Sequence, residues 1–182
     1  MRFHPKPFNS ILVVHPLMAE VHIIGELKKA IDFKESTLFC KWSFITGSSW
    51  KVIQGETEGQ TITSSDILGE PVSRFSHPLD VHFATRSVQG WPKLVVQVYS
   101  VGSFNSVDPI GYGFVNIPTS PGEHRIEINT WKLTPPSFWE KIQKVIWGTP
   151  GNFTVADNCD LIYAGTERYK LETESSGKVV KF

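Results

Sequence analysis

The stretch from Gln89 to Pro121 restricts the fold more than any other part of the chain. It reads Gln89-Gly-Trp-Pro-Lys93, then Leu94-Val-Val-Gln-Val-Tyr99, a loop of small and polar residues, and Ile110-Gly-Tyr-Gly-Phe-Val-Asn-Ile-Pro118. β-Branched and aromatic side chains fill both extended runs, and such residues suit a pleated surface. Leu94, Val96 and Val98 fall on one strand face, while Val95, Gln97 and Tyr99 fall on the other. Pro92 keeps the chain out of helix before the first run, and Pro118 closes the second. The two runs are expected to form the central pairing of an all-β sandwich.

The flanking chain repeats the same two-residue period. Glu20-Val-His-Ile-Ile24 reads as the first firm strand, with Gly25 to Ala30 continuing it or turning. Ser36 to Ile45 reads as a second, with Leu38, Cys40, Trp42 and Phe44 facing one way. Trp50 to Ile53 is a short third strand, and a loop from Gly55 to Ser65 holds another around Thr61-Ile-Thr63. In Leu79-Asp-Val-His-Phe83 the apolar residues share one face, and Asp80 and His82 the other. Glu123 to Ile128 alternates again, and Leu161-Ile-Tyr163, Tyr169-Lys-Leu171 and Lys178 to Phe182 each read as a strand. Near residues 137–147, Phe138, Ile142 and Ile146 recur at helical spacing, which predicts one short amphipathic helix. About eight short strands with one helix fit an antiparallel sandwich better than an α/β layout.

Composition narrows the function classes. At 182 residues the chain suits one domain, and its 18 basic and 18 acidic residues cancel. No net field draws it to nucleic acid. No apolar run approaches the roughly 20 residues of a spanning helix. The N-terminal Ile11-Leu-Val-Val14 is shorter than the roughly 7–15 residues of a signal-peptide core. A soluble intracellular protein is expected, with Cys40 and Cys159 as free thiols. Asn152-Phe-Thr154 is a glycosylation triplet without meaning in that compartment.

Each candidate for chemistry has a plainer structural reading. Gly111-Tyr-Gly113 lacks the third glycine and following helix of a nucleotide loop, so it reads as a place where an aromatic ring packs across the backbone. His77, Asp80, His82 and His124 can be assembled on paper into a metal or acid–base site, but no ligand spacing supports them. No serine sits in a nucleophile setting, and an enzyme is not expected. Trp91-Pro92 reads as a plug at a sandwich mouth. The helix near 137–147 carries Trp139, Lys141, Lys144 and Trp147. It is expected to pack on the sandwich, leaving those four as binding candidates.

Several words taken together resemble the B9-domain family of ciliary proteins. They are Leu38-Phe-Cys-Lys-Trp42, Ser76-His-Pro-Leu-Asp-Val-His-Phe83, Gln89-Gly-Trp-Pro-Lys93, Gly111-Tyr-Gly-Phe114 and Pro118-Thr-Ser-Pro-Gly-Glu-His124. Met18 to His22 and Ile162 to Tyr169 add to them, so the resemblance spans residue 18 to the end. It implies a divergent C2-like sandwich over 18–182, after an N-terminal extension at 1–17, with its last strand clipped at Phe182 and a sheet edge exposed. It further implies a non-enzymatic adaptor on the cytoplasmic side of the ciliary transition zone and at the basal body. The implied partners are sister B9-domain proteins, the Meckel syndrome protein and tectonic-type membrane proteins.

Calcium-dependent C2 relatives place acidic ligands at the positions of Ser100, Gly102 and Asp108, and only Asp108 is acidic here. Calcium takes about six to eight oxygen ligands, so no calcium and no other cofactor is expected. The alternative function is a calcium-independent peripheral membrane module that touches phosphoinositides, with Arg125, Lys132, Lys141 and Lys144 as its candidate basic cluster.

Overall fold

The computed structural model describes residues 18–65, 72–102, 106–133 and 173–182. The expected helix near 137–147, the runs at 161–163 and 169–171, Cys159 and the segment 1–17 lie outside these residues. Ten strands are present among the described residues: β1 (Ala19–Ile31), β2 (Thr37–Ile45), β3 (Trp50–Gly55), β4 (Glu58–Gln60), β5 (Ser64–Ser65), β6 (Val72–Thr85), β7 (Lys93–Val101), β8 (Val107–Asn116), β9 (Ile126–Leu133) and β10 (Thr173–Lys181). Hydrogen bonding joins them antiparallel in the order β3-β6-β1-β10-β9-β8-β7-β2-β4, with β5 also on β2. The excess over eight strands comes from β4 and β5, short pieces that hem β2.

The sheet folds over so that two leaves face each other. One holds β3, β6, β1 and β10, and the other holds β9, β8, β7, β2 and β4. Leu79, Val81 and Phe83 of β6 and Ile23 and Leu27 of β1 meet Leu38, Cys40 and Phe44 of β2 and Val96 and Val98 of β7 in one core. Phe44 stands edge-on to Phe83 across that interior, with ring centroids 6.1 Å apart. The all-β antiparallel sandwich expected from the alternation is therefore the fold observed. β7 is buried along both faces, and Val95, Tyr112 and Trp131 form a smaller cluster outside the main core.

Several boundaries differ from the sequence reading: β6, β8 and β10 begin earlier, at Val72, Val107 and Thr173, and three further differences have a local reason. β1 runs on past Ile24 to Ile31, because a bulge between Leu27 and Lys29 lets it stay paired while breaking the two-residue period. Thr61-Ile-Thr63 is not a strand. Buried Thr61 donates its N–H to the Cys40 carbonyl and accepts the Cys40 N–H on Oγ1, so a side chain replaces one ladder bond. β9 lies at 126–133 rather than 123–128, since Thr130 is buried and donates its hydroxyl to the Gly177 carbonyl at 2.6 Å. That buried hydroxyl hides the strand's polarity pattern.

Candidate functional site

The loop between β7 and β8 closes on its own backbone. Ser100 stands opposite Asp108 in the ladder and Val101 opposite Val107. Ser100 is buried and donates its hydroxyl to the Asp108 carbonyl at 3.4 Å, and the Gly102 N–H reaches the Ser106 carbonyl at 2.8 Å. Asp108 is exposed. The structure thus brings Ser100 and Asp108 together as strand partners, and Gly102 sits at the hairpin mouth. A Cβ on Gly102 would lie 2.6 Å from Ser106 Oγ, so Gly102 and Ser106 approach closely at the base of the loop. No group of three or more metal-ligating side chains occurs among the described residues.

The two motif words beside this loop are structural. Trp91 donates its indole N–H to the Ile117 carbonyl at 2.7 Å and stands perpendicular to Trp50 at 5.2 Å. Trp50 in turn donates to the Gln89 carbonyl at 3.0 Å, which ties β3 of one leaf to the entry of β7 in the other. Trp91-Pro92 plugs the sandwich mouth, as its position suggested. Gly111 and Gly113 let β8 lie close to β9 and to the core. A Cβ on Gly111 would meet Thr130 Oγ1 at 2.9 Å and the Phe33 ring at 3.1 Å, and one on Gly113 would meet the Asn129 carbonyl at 2.8 Å.

The histidines and acids named from sequence do not converge. His82 and Asp80 share the outer face of β6, but Asp80 bonds His22 Nε2 at 2.7 Å and His82 lies 3.2 Å from Glu20. The two imidazoles stack at 5.1 Å, since His22 and His82 are direct partners across β1 and β6. His77 packs against the Trp42 ring at 5.6 Å, where β6 meets β2, and burial lowers its pKa. His124 is half-buried and bonds the Ser120 carbonyl within the β8–β9 connection. Exposed ion pairs of this kind stabilise by about 0–1 kcal/mol.

Of the basic candidates, Arg125 lies 3.5 Å from Glu127 and Lys132 3.2 Å from Glu174, so each faces a carboxylate rather than joining a positive field. Trp139, Lys141, Lys144 and Trp147 lie outside the described residues. Cys40 is a free thiol within the core, and burial pushes it up to about 12, which makes it inert packing rather than a nucleophile. Sequence reasoning passed over Lys181. It is 5% exposed, and burial lowers its pKa. No sequence pattern marks a lysine as buried. Its only signal is a place in the apolar run Val179-Val180-Lys181-Phe182.

Comparison with known proteins agrees with these words and their placement. The family model described as "Ciliary basal body-associated, B9 protein" matches residues 21–182. The chain belongs to this B9 family. More particularly, it is similar to B9 domain-containing protein 2 of Drosophila melanogaster, 48% identical over 163 residues and 90% of each chain. It is also 42% identical to B9 domain-containing protein 2 of Homo sapiens, over 89% of this chain and 90% of the human one. B9 domain-containing protein 1 of Xenopus laevis is 32% identical over 111 residues, 60% of this chain and 56% of that protein.

Proposed function

We propose that this chain is a non-enzymatic adaptor of the B9 complex at the ciliary basal body and transition zone. It binds sister B9-domain proteins, including the Meckel syndrome protein, and through them tectonic-type membrane proteins. In this way it supports cilium assembly and the barrier to membrane-protein diffusion. The observation that carries this reading is the family match over 21–182, joined to similarity with two kinds of B9 domain-containing protein. Co-expression with a B9 domain-containing protein 1 and with the Meckel syndrome protein tests it. A single stable peak on size exclusion is the expected result, and separate peaks at micromolar concentration overturn it.

The adaptor works without calcium. Ser100 and Gly102 supply no carboxylate, and the Ser100 hydroxyl and Gly102 N–H are donors already bonded to the Asp108 and Ser106 carbonyls. One acid is far from the several that calcium needs. Titration calorimetry is expected to show no heat of calcium binding, and micromolar affinity would overturn this. The phosphoinositide alternative has less support, because Arg125 and Lys132 are already beside glutamates. Sedimentation of the isolated chain with anionic vesicles would reverse that preference.

A further inference from the structure

The outer face of β1 and β6 changes sign along its length. At one end lie the exposed carboxylates of Glu20 and Asp80, beside His82 and His22. At the other end Lys29 stands directly opposite Arg74 in the β1–β6 ladder, with Lys28 next to it. Ser73 and Phe75 are buried while Arg74 and Ser76 are exposed, so Arg74 and Ser76 point outward together. Lys29 shares that face, because residues directly opposite each other in a ladder point the same way.

Side chains so placed have Cβ atoms about 4.5–5.5 Å apart, and like charges there destabilise the pairing. Carboxylates do not relieve this pair. Arg125, Lys132 and Lys178 each face a glutamate, at 3.5, 3.2 and 3.7 Å. Lys28, Lys29 and Arg74 form no ion pair among the described residues, although Glu26 and Asp32 lie close in sequence. Lys28 holds its amine 4.3 Å from the Phe182 ring centroid, which leaves its charge uncancelled. A second departure falls on the same spot. Where the register shifts between Leu27 and Lys29, Phe75 and Ser76 of β6 stand across from Lys28 alone. Ser76 there has a φ of 46°, a left-handed conformation that strains a residue with a Cβ. Bulges re-aim side chains, and local rules are broken together mainly where a chain has a function to serve.

The bulge thus gathers a guanidinium, two ammonium groups and a hydroxyl on one exposed surface. A phosphate monoester has three oxygens and nearly two charges for such donors, whereas a carboxylate has two oxygens and one charge. We propose that this bulge binds a phosphorylated serine or threonine side chain of a partner protein, with Arg74 and Lys29 as its main ligands and Ser76 as a hydroxyl donor. The proposal rests on the adaptor reading and names the chemistry of one partner. A membrane rich in phosphoinositides offers the same group but is planar. Laid on this face it would also meet Glu20 and Asp80, whose charge opposes it, while a peptide segment touches the cationic end alone.

A peptide pool with one fixed phosphoserine between random flanking positions, passed over the immobilised full chain, tests this against the same pool carrying plain serine. The phosphorylated pool is expected to be retained and the plain pool to wash through. Arg74→Gln should lower retention by about tenfold and Lys29→Gln by about fivefold, as expected for charge-assisted hydrogen bonds. Lys51→Gln on β3, whose strand neighbour Ala84 pairs with Glu20, should change nothing. Arg74→Gln and Lys29→Gln should melt no lower than the parent chain, because each removes a like-charge contact. Equal retention of the two pools, retention that survives Arg74→Gln, or an equal loss with Lys51→Gln each overturns the proposal. So does a lower melting temperature in both variants, which would make the pair structural. Sedimentation with phosphatidylcholine vesicles carrying phosphatidylinositol 4,5-bisphosphate, abolished by Arg74→Gln, gives the site to a membrane and also overturns it. If the phosphorylated pool fails while co-purification with sister proteins persists, the site falls and the adaptor reading stands. Phosphate-dependent retention without co-purification supports the site and removes the adaptor reading.

Discussion

The two leaves share an inner face and differ on the outer one. Outside β1 and β6 lie Glu20, His22, Asp80 and His82, joined in exposed imidazole–carboxylate contacts. On the corresponding face of β7, β8 and β9 lie Val95, Tyr112 and Trp131, all buried. β7 thus has an interior on both sides, while β6 has one interior and one wet face. A strand buried on both faces reads as a nearly continuous apolar run, and a half-buried one alternates. Leu94-Val-Val-Gln-Val-Tyr99 and Leu79-Asp-Val-His-Phe83 show that difference in the sequence itself.

The largest expected effect comes from changing the charge on each outer face in turn. Val95 is 1% exposed, so Val95→Asp buries an unpaired carboxylate and should cost about 4 kcal/mol or more, seen as loss of the urea transition or insoluble expression. Asp80→Ala on the other leaf should cost less than about 1 kcal/mol. Equal costs would break the comparison. Trp91→Ala removes the ring that braces Trp50 and links the leaves at their mouth, and should cost about 3 kcal/mol by urea titration. Gly113→Ala tests the close approach of β8 to β9, and about 2 kcal/mol is expected from forced backbone movement. An unchanged urea midpoint would show that the two strands can part without cost.

The smallest effect reads the seam between the leaves through pH. Burial against Trp42 lowers the His77 pKa in the folded chain, so the unfolded chain takes up its proton first as pH falls. The stability that neutral His77 contributes is present above its unfolded value of about 6.5 and is lost as pH falls through the lower, folded one. His77→Gln should flatten part of the fall in urea midpoint between about pH 7.5 and 5.5. An identical slope in the variant would show that His77 contributes nothing to it.

Facing was legible in the sequence wherever a strand keeps one wet side. Leu38, Cys40, Trp42 and Phe44 point inward as their spacing implies, and Asp80 and His82 point outward. Partnership was not legible, because it depends on register between strands distant in sequence. Asp80 therefore meets His22 of β1 instead of His82 two residues along. Bulges hid the second half of β1, and the buried hydroxyl of Thr130 hid the end of β9. The words around Trp91 and Gly111 carry the family resemblance, yet their chemistry is packing.

β10 follows every other described strand in sequence but sits in the middle of the sheet, between β1 and β9. Until it emerges from the ribosome, β1 and β9 have nothing to join them, and the two leaves exist only as separate hairpin sets. Phe33 waits as well, because its ring lies against both Gly111 and Gly177. Synthesis at about 5–20 residues per second leaves such half-sheets, with their apolar faces and unpaired edges, exposed for seconds.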